Sequence, residues 1–245
     1  ELHHPKHSFP TRRSSDLVSF CEAVYDGEAF VEGVLSHRIQ DVGECAGIWE
    51  MGEIPLLVDE TGEAIKKLHP AAVIDAILAK KNLGTNRAMA PLTIALGPGF
   101  LAGRDVDYVV ETQRGHDLGR IVEEGWAAPN TGIPGMIGGY GKERVIHSPA
   151  AGTIHSRAKI SDLVEKDQVI AVISTEKNRE IPVFATISGV LRGMIREEYQ
   201  VSEGMKIADI DPRKEQKKNC NTISDKARCI AGTVVEILLS EGIVP

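Results

Sequence analysis

The sequence predicts an α/β fold: a largely parallel sheet, then a small pseudo-symmetric β sandwich, then a C-terminal helix. Three observations predict it. Four apolar segments between 53 and 112 lack strict alternation, the pattern of strands buried on both faces of a parallel sheet. A gapless internal repeat relates 148–173 to 185–210. An amphipathic segment follows Ser224 close to the end of the 245 residues.

Residues 1–17, ELHHPKHSFPTRRSSDL, have no periodicity and crowd His, Pro, Arg and Ser. They read as a foreign or disordered segment to be set aside before any fold argument. His3, His4 and His7 are no metal site on this reading, because nothing after Val18 supplies a partner ligand. A first domain is expected over 18–141. EIPLLVD (53–59) is a strand, and Glu63–Leu68 a short helix stopped by Pro70. AAVIDAIL (71–78), PLTIALGPGF (91–100) and VDYVVET (106–112) are three more strands, and LGRIVEEG reads as a helix. A second domain is expected over 142–213, where Gly punctuates short strands. Five repeat positions are identical: Gly152/Gly189, Val164/Val201, Ile170/Ile207, Ala171/Ala208 and Ile173/Ile210. Two such halves cannot form a solenoid but can enclose one core about a pseudo-two-fold axis. They are similar to the flattened barrel-sandwich of biotinyl and lipoyl domains. Over 214–245, Ser224 is a good N-cap for KARCIAGTVVEILL, a helix expected to pack back on the first domain.

Composition narrows the function. Lys plus Arg total 28 against 35 for Asp plus Glu, a net charge of −7, which argues against neutralising nucleic-acid phosphates. Aromatics at 4 % leave little for base stacking. No apolar run approaches the ~18 residues of a membrane span, and no apolar signal segment opens the chain. The four cysteines form no CxxC, so neither a zinc signature nor a disulfide framework is present. A cytoplasmic protein with reduced thiols is expected.

Three glycine-containing loops carry the candidate chemistry. GPGF (97–100) ends a strand, and Gly97 and Gly99 would let backbone approach a ligand. ETQRGHDLGR (111–120) sets Arg114, Gly115, His116 and Arg120 after another strand, with Arg suited to a phosphate or carboxylate. APNTGIPGMIGGYG (128–141) offers Asn130, Thr131 and Gly132 to an anion, and reads equally well as an interdomain linker. In parallel sheets such loops gather at one edge. Lys177, in STEKNREIP between the repeats, is placed where a carrier domain presents a modifiable lysine. No GxSxG, HExxH, P-loop or GxGxxG occurs, so catalytic residues stay unassigned.

VSFCEAVYDGEAFVEGV, DAILAKKN, ALGPGFLAGRDVDYVVETQRGHDLGR, PNTGIPG, ISGVLRGMI, DIDPR and ISDKAR together resemble the selenium-dependent molybdenum hydroxylase system protein family, over about 18–240. The resemblance implies a truncated Rossmann-like sheet, because that family carries a glycine-rich strand-turn-helix before the VSFCEAV region. It implies an accessory or maturation factor rather than a classical enzyme. Its partner would be a molybdenum hydroxylase or its maturation machinery, and its ligand a molybdopterin-type cofactor or nucleotide at the sheet edge. Two alternatives stand beside it: a lipoyl-like carrier using Lys177, and an NAD(P)-dependent enzyme.

Overall fold

The computed structural model describes residues 19–132 and 135–244. The expectations for 1–17 lie outside the described residues. The chain divides into two compact units: 20–131 with Ser224 onward, and Gly132–Ile223.

In the first unit, α1 (Ala23–Asp26) leads into β1 (Glu28–Val31) and β2 (Val34–Ile39). Their two-residue turn has positive φ at both Glu32 and Gly33, the geometry that matches the twist of a hairpin. An Asp41–Glu44 capping box then opens the turn that runs into α2 (Cys45–Glu50). The chain returns as β3 (Ile54–Leu57), parallel to β2, completing a three-stranded sheet. Next comes α3 (Glu63–Leu68), which ends with His69 in the left-handed region just before Pro70.

β4 (Ala72–Asp75), β5 (Leu92–Leu96) and, past a short β6 (Leu101–Ala102), β7 (Tyr108–Val110) form the parallel core of a second sheet. β8 (Ile121–Val122) closes its edge antiparallel to β7, and β9 (Gly125–Trp126) pairs with β6. The two faces of β5 are both buried. Ala95 packs with Phe100, Ala102, Val106, Val109 and Ala127. Leu92 and Ile94 pack with Val110 and with Ile230 and Ile237 of α4 (Asp225–Ser240). Ser224 caps α4 by accepting from the Ala227 N–H. Tyr108 Oη donates to Glu241 at 2.5 Å, tying the far end of α4 to β7.

The Rossmann-like expectation is corrected here. The 53–59 strand belongs to a separate sheet, leaving only three parallel strands in the β4–β5–β7–β8 sheet. LGRIVEEG forms β8 and the approach to β9 rather than a crossover helix. Gly119 (φ +81) turns the chain back, and its N–H donates to the Glu111 carbonyl at 2.9 Å. A Cβ on Gly119 would lie 2.8 Å from Cys229 Sγ, so α4 occupies the space a crossover helix would need.

The second unit holds β10 (Val145–His147), β11 (Gly152–Ser156), β12 (Leu163–Val164), β13 (Val169–Ser174), β14 (Glu180–Phe184), β15 (Gly189–Met194), β16 (Gln200–Val201) and β17 (Lys206–Asp211). They make two four-stranded antiparallel sheets, β10–β17–β15–β12 and β14–β13–β11–β16. One core joins them, built on Ile154, Val164, Ile170, Ile173, Leu191 and Ile210. The expected closed barrel-sandwich is corrected to two open sheets. Among the described residues no ladder links one sheet to the other, and the edge strands β12 and β16 have two residues each, too short for a second ladder. The whole chain is thus mixed α/β, mostly strands in several small sheets with few helices.

The repeat has a visible physical counterpart. A Cβ on Gly152 would lie 2.3 Å from the Ser174 carbonyl oxygen and 2.9 Å from Ile173 Cγ2. On Gly189 it would lie 2.2 Å from the Asp211 carbonyl oxygen and 2.9 Å from Ile210 Cγ2. Each strand opens where its neighbour's backbone leaves room only for hydrogen.

Candidate functional site

The carboxyl ends of β4, β5 and β7 place three loops along one edge, and buried side chains fix each of them. Asp75 closes β4: its Oδ1 accepts from the Ile77 N–H at 3.0 Å, its Oδ2 from Thr85 Oγ1 at 2.6 Å. These bonds hold the 76–85 loop. Gly97 follows β5 with φ +80 and donates its N–H to the Val110 carbonyl at 2.8 Å. A side chain there would strike Thr112 Oγ1 at 2.5 Å. Glu111 follows β7, buried, and accepts from the Gln113 N–H at 2.7 Å and the Ala128 N–H at 2.6 Å. One carboxylate therefore fixes both the 111–120 loop and the strand of chain that enters 128–131. It is spent on backbone donors and serves as a brace.

Gly99 makes the closest approach. At φ +112, a Cβ on it would fall 2.6 Å from Lys81 Cα and 2.7 Å from the Lys81 nitrogen. Only glycine lets the 97–100 loop lie on the 80–81 backbone. Lys80 and Lys81 are exposed, and neither ammonium has an ion pair among the described residues. Sequence reasoning passed over both as part of a polar loop. A Lys-Lys pair just beyond a strand was the only available signal.

The predicted cations stand differently. Arg114 places its planar fork on Asp225 at the start of α4, Nη1 to Oδ2 at 2.8 Å and Nη2 to Oδ1 at 2.9 Å. That fork, with backbone donors of the helix start, brings the Asp225 carboxyl down to about 2. An incoming anion must compete with Asp225 for Arg114. Arg120 pairs with Asp117 at 2.8 Å. Gly115 (φ +140) and His116 are exposed at the loop tip. Asn130 and Thr131 are exposed beyond the Glu111–Ala128 bond. Gly132 falls in the second unit, with open space around it. Lys177 is exposed in the turn between β13 and β14. Among the described residues no group of three His, Cys, Asp or Glu side chains is placed to hold a metal ion.

Comparison with known proteins adds the following. No family model matches the chain. It is 46 % identical over 222 residues to the "Uncharacterized protein YqeB" of Escherichia coli (strain K12). The match covers 91 % of this chain and 40 % of that protein, so the chain spans less than half the length of the curated relative. Among solved structures, a succinylglutamate desuccinylase/aspartoacylase from Rhodobacter sphaeroides aligns at TM-score 0.26 and 11 % identity, covering 28 % of this chain and 21 % of that one. The apo ectoine utilization protein EutE (DoeB) from Ruegeria pomeroyi aligns at TM-score 0.27 and 12 % identity, covering 37 % and 28 %. Likenesses this slight carry no argument about activity. The family expectation is nonetheless corrected. The structures found include desuccinylase and aspartoacylase proteins and an ectoine utilization protein, and the sequence relative is described as uncharacterized. Nothing found points to a selenium-dependent molybdenum hydroxylase system, and selenium, molybdenum and their cofactor drop out of the account.

Proposed function

We propose that the first unit is a binding module for a phosphate-bearing small molecule of the nucleotide class, held at the carboxyl edge of β4, β5 and β7. The observation that carries this reading is the approach of Gly99 to the Lys80–Lys81 backbone. It sets the backbone of two exposed lysines, without ion pairs among the described residues, against a glycine loop at a parallel-sheet edge, where α/β proteins ordinarily bind ligands. The net charge of −7 makes that local positive character conspicuous. Lys acts as a point charge on phosphate, and Arg114 adds a planar fork when a ligand outcompetes Asp225. The reading is one of binding and delivery, since the buried acids at this edge, Asp75 and Glu111, are committed to backbone N–H groups and the Thr85 hydroxyl. It includes a cytoplasmic setting, the expectation that goes with four cysteines and no CxxC in the sequence. No helix among the described residues is long and apolar enough to cross a membrane.

The test is calorimetric titration of ADP and of pyrophosphate into the protein and its Lys80→Ala/Lys81→Ala variant. Loss of two phosphate contacts should weaken binding by at least about tenfold, with a salt dependence shallower in the variant. Equal affinity in both proteins would refute the site.

A further inference from the structure

We infer that the second unit carries its own oxyanion site, centred on Arg192, for a small phosphate or carboxylate ligand. No residue of the first unit takes part in it. Along β17 the core takes Ala208 and Ile210, which turns Asp209 and Asp211 to the opposite face. That face is covered too: Asp209 is 4 % and Asp211 2 % exposed. Covered carboxylates need partners. Arg144 meets Asp209 through Nη2 at 2.8 Å and donates from Nε and Nη1 to the Ile210 and Gly135 carbonyls. Lys206 reaches Asp209 at 3.2 Å. Arg213 takes Asp211 with two bonds, Nε to Oδ1 at 3.0 Å and Nη2 to Oδ2 at 2.8 Å.

With both acids thus satisfied, Arg192 is a surplus cation. It is the extra residue of a β-bulge in β15, between the Leu191–Ile210 and Gly193–Asp209 pairs. Bulges recur where a strand re-aims a side chain toward a site. Its side chain is 13 % exposed, and its nearest carboxylate oxygen is 3.9 Å from Nη1, beyond hydrogen-bond distance. Its Nε is fully buried with no acceptor among the described residues. A sealed Nε–H without an acceptor is costly, whereas the two Nη groups are not sealed and stay open to a partner. Among the described residues the cluster sets four cations (Arg144, Arg192, Lys206 and Arg213) against two aspartates. The partly exposed Lys206 and Arg213, at 40 % and 43 %, form the approach. An oxyanion accepting from the two Nη groups of Arg192 would bond the end of the guanidinium that is not sealed and offset this local positive charge. Phosphate and carboxylate both fit that fork.

The experiment is NMR of arginine-15N-labelled protein, following the Nε–H resonance of Arg192, assigned by its disappearance in Arg192→Lys. Sodium phosphate and sodium acetate are titrated separately against sodium chloride at matched ionic strength. The expected result is a saturable shift of that resonance with phosphate, acetate or both, retained in Lys80→Ala/Lys81→Ala; in Arg192→Gln, where that resonance is gone, the titration followed at the Arg213 Nε–H should weaken at least about tenfold. The arm that saturates identifies the ligand class. A resonance that stays put with both anions, or drifts linearly as it does with chloride, overturns the proposal and leaves Arg192 bonded to water. The wild-type titration decides the matter even where Arg192→Gln folds poorly.

Discussion

Gly189→Ala measures how tightly β15 is held against β17. The new methyl would start 2.2 Å from the Asp211 carbonyl oxygen, 2.8 Å from its carbon and 2.9 Å from Ile210 Cγ2. An ordinary carbon–oxygen approach is about 3.3 Å, so one strand must retreat by about 1 Å. The retreat cannot come from a flexible side-chain tip, because the obstacle is backbone in the middle of a four-stranded sheet. It strains the β15–β17 ladder beside Leu191 and Ile210, both fully buried. Overpacking of a rigid site costs about 1–3 kcal/mol, and strain against backbone belongs at or above the top of that range. A loss of about 3 kcal/mol would lower the midpoint by roughly 6–12 °C for a chain of this size. The matching Gly152→Ala should cost at least as much, since Gly152 meets the same obstacle at 2.3 Å and also has φ +156. Gly204→Ala is the control. Its Cβ would meet nothing within 4 Å, so only the left-handed backbone penalises it, by about 1–2 kcal/mol. Urea unfolding of the three variants supplies the numbers. Gly189→Ala within about 1 kcal/mol of wild type would refute the argument from close approach.

Three further outcomes follow from the first unit. Glu111→Gln should cost about 2 kcal/mol in urea unfolding, because the amide keeps one acceptor and turns its NH2 toward a backbone N–H. A cost below about 0.5 kcal/mol would mean that water replaces the brace. Asp225, held at about 2 in the fold against an ordinary 3.8, stabilises the protein above pH 3.8 and loses that contribution as pH falls toward 2. The stability difference between wild type and Arg114→Ala should accordingly be flat near neutrality, at most about 1 kcal/mol for so exposed a pair, and shrink in acid. A difference that grows on acidification would contradict it. Gly99→Ala should displace the 80–81 segment, and amide exchange of Lys81 should rise at least about tenfold relative to β5, where Leu92 and Ile94 are buried. Unchanged protection would separate the two loops.

Local rules were legible in the residues themselves. Glu63–Leu68 reads as a helix because Pro70 stops it, and Ser224 announces α4 because a short hydroxyl side chain caps a helix start. The repeat was visible because a strand opening against its neighbour's carbonyl admits only glycine, which leaves Gly152 and Gly189 in matching places. Tertiary structure alone decided the rest. Whether apolar strands share one sheet or split into several depends on pairing between distant segments, to which an apolar pattern is indifferent. LGRIVEEG has helical residues, yet Gly119 against Cys229 of α4, more than a hundred positions away, turns it into β8. The same holds for charge. Arg114 and Lys81 look alike as cations in sequence, but the fold places a carboxylate from α4 on one and a glycine backbone against the other. Propensity acts over a few neighbouring residues, whereas the availability of a charge is set by whichever distant group the packed chain brings within about 4 Å of it.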